Sequence, residues 1–110
     1  MNEIDILAIG DVVIDAFIRL SDAEVKCDEN GENCRLSVRY GDKVPYDSVE
    51  VCYAVGNSAN AAVSASRLGL KAALYAYVGG DQNGKDCISS LQKDGVDTEY
   101  VHIDNDNKTN

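Results

Sequence analysis

Apolar and polar positions follow two rhythms along this chain, and the switch between them marks its organisation. Ile4-Asp-Ile-Leu-Ala-Ile9 and Ala72-Ala-Leu-Tyr-Ala-Tyr-Val78 are short, nearly continuous apolar runs, each closed by glycine. Such runs suit strands buried in a parallel sheet. Residues 35–40 and 48–53 instead alternate polar and apolar side chains, the period of a strand with one wet face. Residues 12–20 are β-branched and strand-like, Asn30-Gly31 is the strongest hairpin signal, and Gly41-Asp42 makes a second turn. Pro45, the only proline, suits an edge or the start of a strand. The pattern therefore predicts a first core strand at residues 3–10 and a small antiparallel sheet at about residues 12–53. A helix–strand–helix–strand core follows at residues 56–104.

Both helices carry their own boundaries. Ala54-Val-Gly-Asn-Ser-Ala-Asn-Ala-Ala-Val-Ser-Ala-Ser-Arg-Leu-Gly69 reads as a turn opening into a helix of small residues. Gly56 permits the bend, Asn57 or Ser58 is placed to cap the first turn, and Gly69 suits the left-handed position after the last turn. Ala59, Ala61, Ala62, Ala65 and Ser66 let this helix lie close to a sheet, and Asn60 falls in its first turn. The predicted result is a helix N-terminus presented to something small. The second helix has Gly84, Cys87, Ile88 and Leu91 on one face and stops at Gly95, with Asp81 or Asn83 available as its cap. Residues 98–103 are a further strand candidate.

Composition narrows the partners. A chain of 110 residues forms one domain at most, and 45% hydrophobic residues is ordinary for a globular protein. The formal charge of −9 leaves no basic stripe for phosphates, so no nucleic-acid partner is expected. No apolar run approaches the roughly 20 residues of a membrane span, and Met1-Asn-Glu-Ile-Asp5 lacks the features of a secretory signal. No membrane association is expected, and the expected location is cytoplasmic. Of the four cysteines, Cys52 and Cys87 stand alone in apolar surroundings and read as buried thiols. Cys27 and Cys34 are spaced more widely than the usual zinc pairs, and the single histidine, His102, is remote in sequence, so no metal site is expected. A structural Cys27–Cys34 contact across a hairpin remains open.

Taken in order, three segments resemble the N-terminal part of the ribokinase-like (PfkB) carbohydrate kinases. Gly10-Asp-Val-Val-Ile-Asp15 is similar to the family's strand-end glycine followed by a substrate-binding aspartate. Val55-Gly-Asn-Ser-Ala-Asn60, running to Ala65-Ser-Arg-Leu-Gly69, is similar to its Gly-Gly-x-x-x-Asn motif, Ala-rich helix and Arg-Leu-Gly ending. Val78-Gly-Gly-Asp-Gln-Asn-Gly84 is similar to its Val-Gly-x-Asp-x-x-Gly. Asp94-Gly-Val-Asp97, followed by a strand and Lys108-Thr109, fits as well. Val55 replaces the first glycine of the Gly-Gly pair, and Val13 stands where sugar-specific members often carry asparagine. Both departures bear on substrate identity rather than on fold.

The resemblance implies an α/β fold, the start of a three-layer parallel sheet with helices, with the sheet of residues 12–53 as its lid. It implies ATP-dependent phosphorylation of a hydroxymethyl group on a sugar or nucleoside, with ATP and Mg2+ as cofactors. Asp15, Gly56, Asn57 (at a position that varies in the family) and Asn60 are the implied substrate-binding residues. Asp15 would accept two vicinal hydroxyls, Gly56 would let the backbone approach the sugar, and Asn60 would both donate and accept. Asp11 reads as a turn residue, Asp81 as a helix cap and Gly84 as a packing position. The family's proton acceptor, ATP pocket and metal-associated acids belong to its C-terminal half, so no catalytic or metal residue is expected here, and this segment alone should not turn over substrate. The competing expectation is a free-standing, non-enzymatic binding module that forms a homodimer through the lid sheet, with Tyr40, Tyr46 and Tyr53 near that surface.

Overall fold

The computed structural model of the chain describes residues 3–110. Its elements are β1 (Ile6–Ile9), β2 (Val13–Arg19), β3 (Glu24–Lys26), β4 (Arg35–Ser37), β5 (Ser48–Val55), α1 (Asn57–Arg67), β6 (Ala72–Gly79), α2 (Gln82–Lys93) and β7 (Val101–Asp104). The residues group into two compact units, one made of those up to 15 together with 51–110, the other of Ala16–Glu50.

The first unit is built on a parallel sheet in the order β1-β6-β7. Ala8 lies beside Leu74 and Ala76 beside Val101 in the two ladders. Because β1, β6 and β7 succeed one another in one direction across the sheet, right-handed crossovers put both helices on one face. Leu74, Ala76 and Val78 of β6 meet Ala59 and Ala62 of α1 and Cys87 and Leu91 of α2 in a single core cluster. Leu74, Leu91 and Cys87 are its largest fully buried side chains. The small residues of α1 act as the sequence implies, allowing close approach to the sheet. Tyr53 also packs, partly buried, against this cluster, while Tyr40 and Tyr46 are exposed in the second unit.

The other face of the sheet is open. Alternation places Leu7, Ile9, Ala73, Tyr75, Tyr77 and His102 there. Ile9 is 70% exposed and Tyr77 60%. The parallel pairing of β1 agrees with its apolar pattern, but its expected burial does not. β1 is at the sheet's edge, and the helices cover only the side on which Ala8 sits. β7 begins later than its pattern predicts, because Thr98-Glu99-Tyr100 first turns. Val101 N donates to Thr98 O at 3.0 Å, and Asp97 Oδ1 accepts from Glu99 N at 2.9 Å.

Both helices close on glycine. After α1, Gly69 N donates to Ser66 O and Leu70 N to Ala65 O, with Gly69 at φ 94°. After α2, Gly95 N and Val96 N bond Gln92 O and Leu91 O in the same way, with Gly95 at φ 77°. These are Schellman closures, which satisfy carbonyls the helix would otherwise leave open. The two helix ends are also tied together: Ser66 Oγ donates to Asp94 O at 2.6 Å, and Arg67 Nε and Nη2 donate to Asp94 Oδ1 at 3.0 and 2.8 Å. The Arg-Leu-Gly segment is thus an inter-helix clamp as well as a stop signal.

Residues 12–53 form two strand pairs rather than one sheet: β2 with β5, and β3 with β4. Within the second unit, β3 and β4 pair antiparallel, with Glu24, Val25 and Lys26 opposite Ser37, Leu36 and Arg35. Cys27 directly follows β3, Cys34 directly precedes β4, and the two are joined by a disulfide, so the contact left open by the sequence is covalent. The turn inside it is held by Asp28. Its Oδ1 accepts from Asn30 N and Glu32 N, and its Oδ2 from Asn33 Nδ2. These donors hold the Asp28 carboxyl below the usual carboxylate range, Glu32 N contributing most and Asn33 next. Pro45 lies in the loop before β5.

Candidate functional site

The site forms where two chain reversals of the first unit meet beyond the ends of strands. β1 ends at Ile9, and the chain turns through Gly10 and Asp11, with Val12 buried as the anchor of the turn. β5 ends at Val55, and Gly56 opens α1 with φ 102° and ψ 166°. A side chain at Gly56 would meet Val13 Cγ2 at 3.3 Å and Asp11 O at 3.4 Å, on a backbone conformation that L residues rarely adopt. A side chain at Gly10 would press on Ser58 Cβ and Oγ at 3.0 Å. Both glycines are required by close approach of the two segments.

One hydrogen bond fixes that approach. Ser58 Oγ donates to Asp11 O at 2.7 Å, across a separation of 47 residues. Neither Asn57 nor Ser58 caps the helix as the sequence suggests: the N-cap is Gly56, and α1 has no side-chain cap bond. Ser58 faces the opposite segment instead of its own helix. The first-turn amides are therefore free of a capping side chain, beside a cavity of about 410 Å³ lined by Ile9, Gly10, Asp11, Val13, Gly56, Asn57 and Ser58.

Of the four residues singled out from the sequence, Gly56 and Asn57 line this cavity. Asn60 is exposed one turn further along α1, three residues after Asn57 and so on the same side of the helix. Asp15 is exposed on β2 and does not line the cavity, but it shares a strand face with Val13, which does. Sequence reasoning missed Ser58 and took Asp11 for a simple turn residue. Asp11 also borders a second cavity of about 240 Å³, with Tyr77, Asp104, Lys108, Thr109 and others. There Asn107 Nδ2 and Asp106 N donate to the Asp104 carboxylate at 2.7 and 3.0 Å, and Asn107 chiefly holds it below the usual range. The Tyr77 hydroxyl is pushed up by its hydrogen-bond partner Tyr75, 3.5 Å away.

The Val78–Gly84 motif is architectural. Asp81 Oδ1 accepts from Gly84 N at 2.9 Å and Thr109 Oγ1 at 2.7 Å, and its Oδ2 from Thr109 N at 3.1 Å. Thr109 Oγ1 in turn accepts from Gly79 N at 2.9 Å. These donors, the Thr109 hydroxyl first, keep the carboxyl below its ordinary range. Asp81 caps α2, as expected, and ties it to the segment after β7. No room exists for a Cβ at Gly79 or Gly84, where it would strike the backbone oxygens of Asn107 and Gly79, and one at Gly80 would displace the Asn105 side chain. Among the described residues no three His, Cys, Asp or Glu side chains converge as a metal site. The described residues do not make a Mg2+ site. No helix of the described residues is long and apolar enough to cross a membrane.

The chain is similar to 5-dehydro-2-deoxygluconokinase of Bacillus velezensis, with 36% identity over 56 residues, which is 51% of this chain and 17% of the relative. It is 41% identical to ribokinase of Mus musculus over 54 residues, 49% of this chain and 17% of that protein. Its fold superposes on the ribokinase of Cryptococcus neoformans in complex with ADP, with a TM-score of 0.67 and 26% identity. That match covers 94% of this chain and 27% of the other. The chain thus spans well under a third of each of these proteins. The pfkB family carbohydrate kinase model matches residues 5–110, almost the full length. The chain belongs to the pfkB family of carbohydrate kinases.

Proposed function

We propose that this chain is the substrate-binding and lid portion of an ATP-dependent kinase that phosphorylates a hydroxymethyl group of a sugar or nucleoside. The observation that carries the reading is the cavity between Gly10–Val13 and Gly56–Ser58, in a chain whose family acts on carbohydrates. Gly56 leaves room for a ligand at the backbone, Asn57 and Asn60 offer amide donors and acceptors, and Asp15 is an exposed carboxylate on the Val13 face of β2. Paired hydroxyls suit such a set, because a carboxylate accepts two donors while an amide gives one and takes one. In this reading residues 1–110 are one partial domain with residues 12–53 as the lid, working in the cytoplasm. ATP, Mg2+ and the proton acceptor are engaged by polypeptide outside this segment, and the segment alone is inactive.

The test is an amide NMR titration of the chain with a panel of sugars and nucleosides, beside an ATP-dependent phosphorylation assay. The expected result is a saturable shift at Gly56, Asn57 and Asn60 for one ligand class, weakened in Asp15→Ala, and no turnover. Turnover by the chain alone would overturn the inactive reading. Absence of any shift across the panel would overturn the site. A second reading, a non-enzymatic module that dimerises through the second unit, is favoured by one observation: Phe17, Ile18, Val25 and Leu36 are each about 60% exposed there. Light scattering separates the two, since the kinase reading expects a monomer and the module a dimer lost in Phe17→Ser.

A further inference from the structure

We propose that Cys27–Cys34 is a reversible thiol–disulfide exchange site, with small thiols as its reaction partners, whose state sets the order of the β3–β4 hairpin. The hairpin has little else to hold it. It pairs only three residues per strand, all six are exposed, and its two apolar members, Val25 and Leu36, are 63% and 62% exposed. A two-stranded hairpin without a buried face is marginal in water. The disulfide sits at the next register position beyond Lys26 and Arg35 and closes the loop organised by Asp28. Its covalent tie, not burial, fixes the register.

Both cysteines are exposed, so a thiolate can reach either sulfur. A small thiol RSH attacks as RS⁻, forming a mixed disulfide at one cysteine and releasing the other as a thiolate. A second RS⁻ displaces the first cysteine. The protein disulfide gains two electrons and two protons, and two RSH leave as RSSR. Internal exchange with Cys87 is disfavoured, because that side chain is fully buried and burial pushes its thiol up, away from the reactive thiolate.

The experiment equilibrates the 110-residue chain in glutathione buffers of graded reduced-to-oxidised ratio, traps free thiols with an alkylating agent, and reads each cysteine by mass spectrometry. Hydrogen exchange is followed in parallel. The expected result is a two-electron transition confined to Cys27 and Cys34 within the buffered range. On reduction, the Asn30 and Glu32 amides and the β3–β4 amides should exchange at least tenfold faster, with β6 and α2 unchanged. The double variant Cys27→Ser/Cys34→Ser should show the fast exchange in every buffer. A pair that stays oxidised, or stays reduced, across the whole range would overturn the proposal. So would a hairpin whose exchange is the same in both states.

Discussion

Replacing Gly84 by alanine sets two opposed effects against each other in one helix. Alanine favours a helix over glycine by up to about 1 kcal/mol, and Gly84 lies in the first turn of α2. Against this, the new Cβ would overlap Gly79 O and come within 3.0 Å of Thr109 Oγ1. Neither contact can yield easily. Gly79 is the last residue of β6, paired with Asp104, and Thr109 Oγ1 is held by Gly79 N and Asp81 at 2.9 and 2.7 Å. Overpacking of this kind costs about 1–3 kcal/mol, and a backbone obstacle puts it near the upper end. The net expectation is a loss of about 2 kcal/mol, the cost of about 3 less the gain of about 1. For a domain of this size that lowers the melting temperature by about 10 °C. The assay is urea and thermal unfolding followed by circular dichroism, with Ser89→Ala as control. Ser89 is exposed on the same helix, so alanine there should gain a few tenths of a kcal/mol (~0.3). A Gly84→Ala variant as stable as the parent would refute the packing argument.

Other perturbations follow from single contacts. Ser58→Ala removes the hydroxyl donated to Asp11 O and should cost about 1 kcal/mol in urea unfolding. It should also alter amide shifts at Asp11 and Val13. Arg67→Lys loses the two-donor grip on Asp94; Arg67 is 68% exposed, so the loss should stay below about 0.5 kcal/mol and shrink with added salt. The Asp81 carboxyl is depressed in the folded state, so its contribution is complete above the ordinary carboxylate value and fades as pH falls through the lowered one. The protection of the Gly84 and Thr109 amides, taken relative to intrinsic exchange, should therefore be unchanged from pH 7 to 5 and fall only in stronger acid, whereas Asp81→Asn should flatten that dependence.

Features specified within a few residues were legible in the sequence. Gly69 and Gly95 end their helices because only a left-handed residue closes a Schellman turn, and Asp81 caps α2 because its acceptor lies three residues before Gly84. The order of glycines and aspartates also carried the family. What eluded the sequence depends on contacts between distant segments. Ser58 fits a cap locally, yet its hydroxyl is claimed by Asp11, 47 residues away. The Arg67–Asp94 clamp joins residues 27 apart. The pattern at Ile6–Ile9 reports a parallel strand correctly, but its burial is decided by what lies on the far face of the sheet. Asp15 and Asn60 could be placed on a strand and a helix, whereas their distance from the cavity follows from how those elements pack.

The open face of the parallel sheet has an optical consequence. The chain has six tyrosines, one phenylalanine and no tryptophan, so its ultraviolet emission is dominated by phenol rings. Tyr75 and Tyr77 lie on that face with ring centroids 6.1 Å apart, each 5.2 Å from His102. The upward-shifted Tyr77 phenol stays neutral, and emissive, further into alkali than an ordinary tyrosine. Anything that covers this face changes the light the protein gives off without a label having been attached.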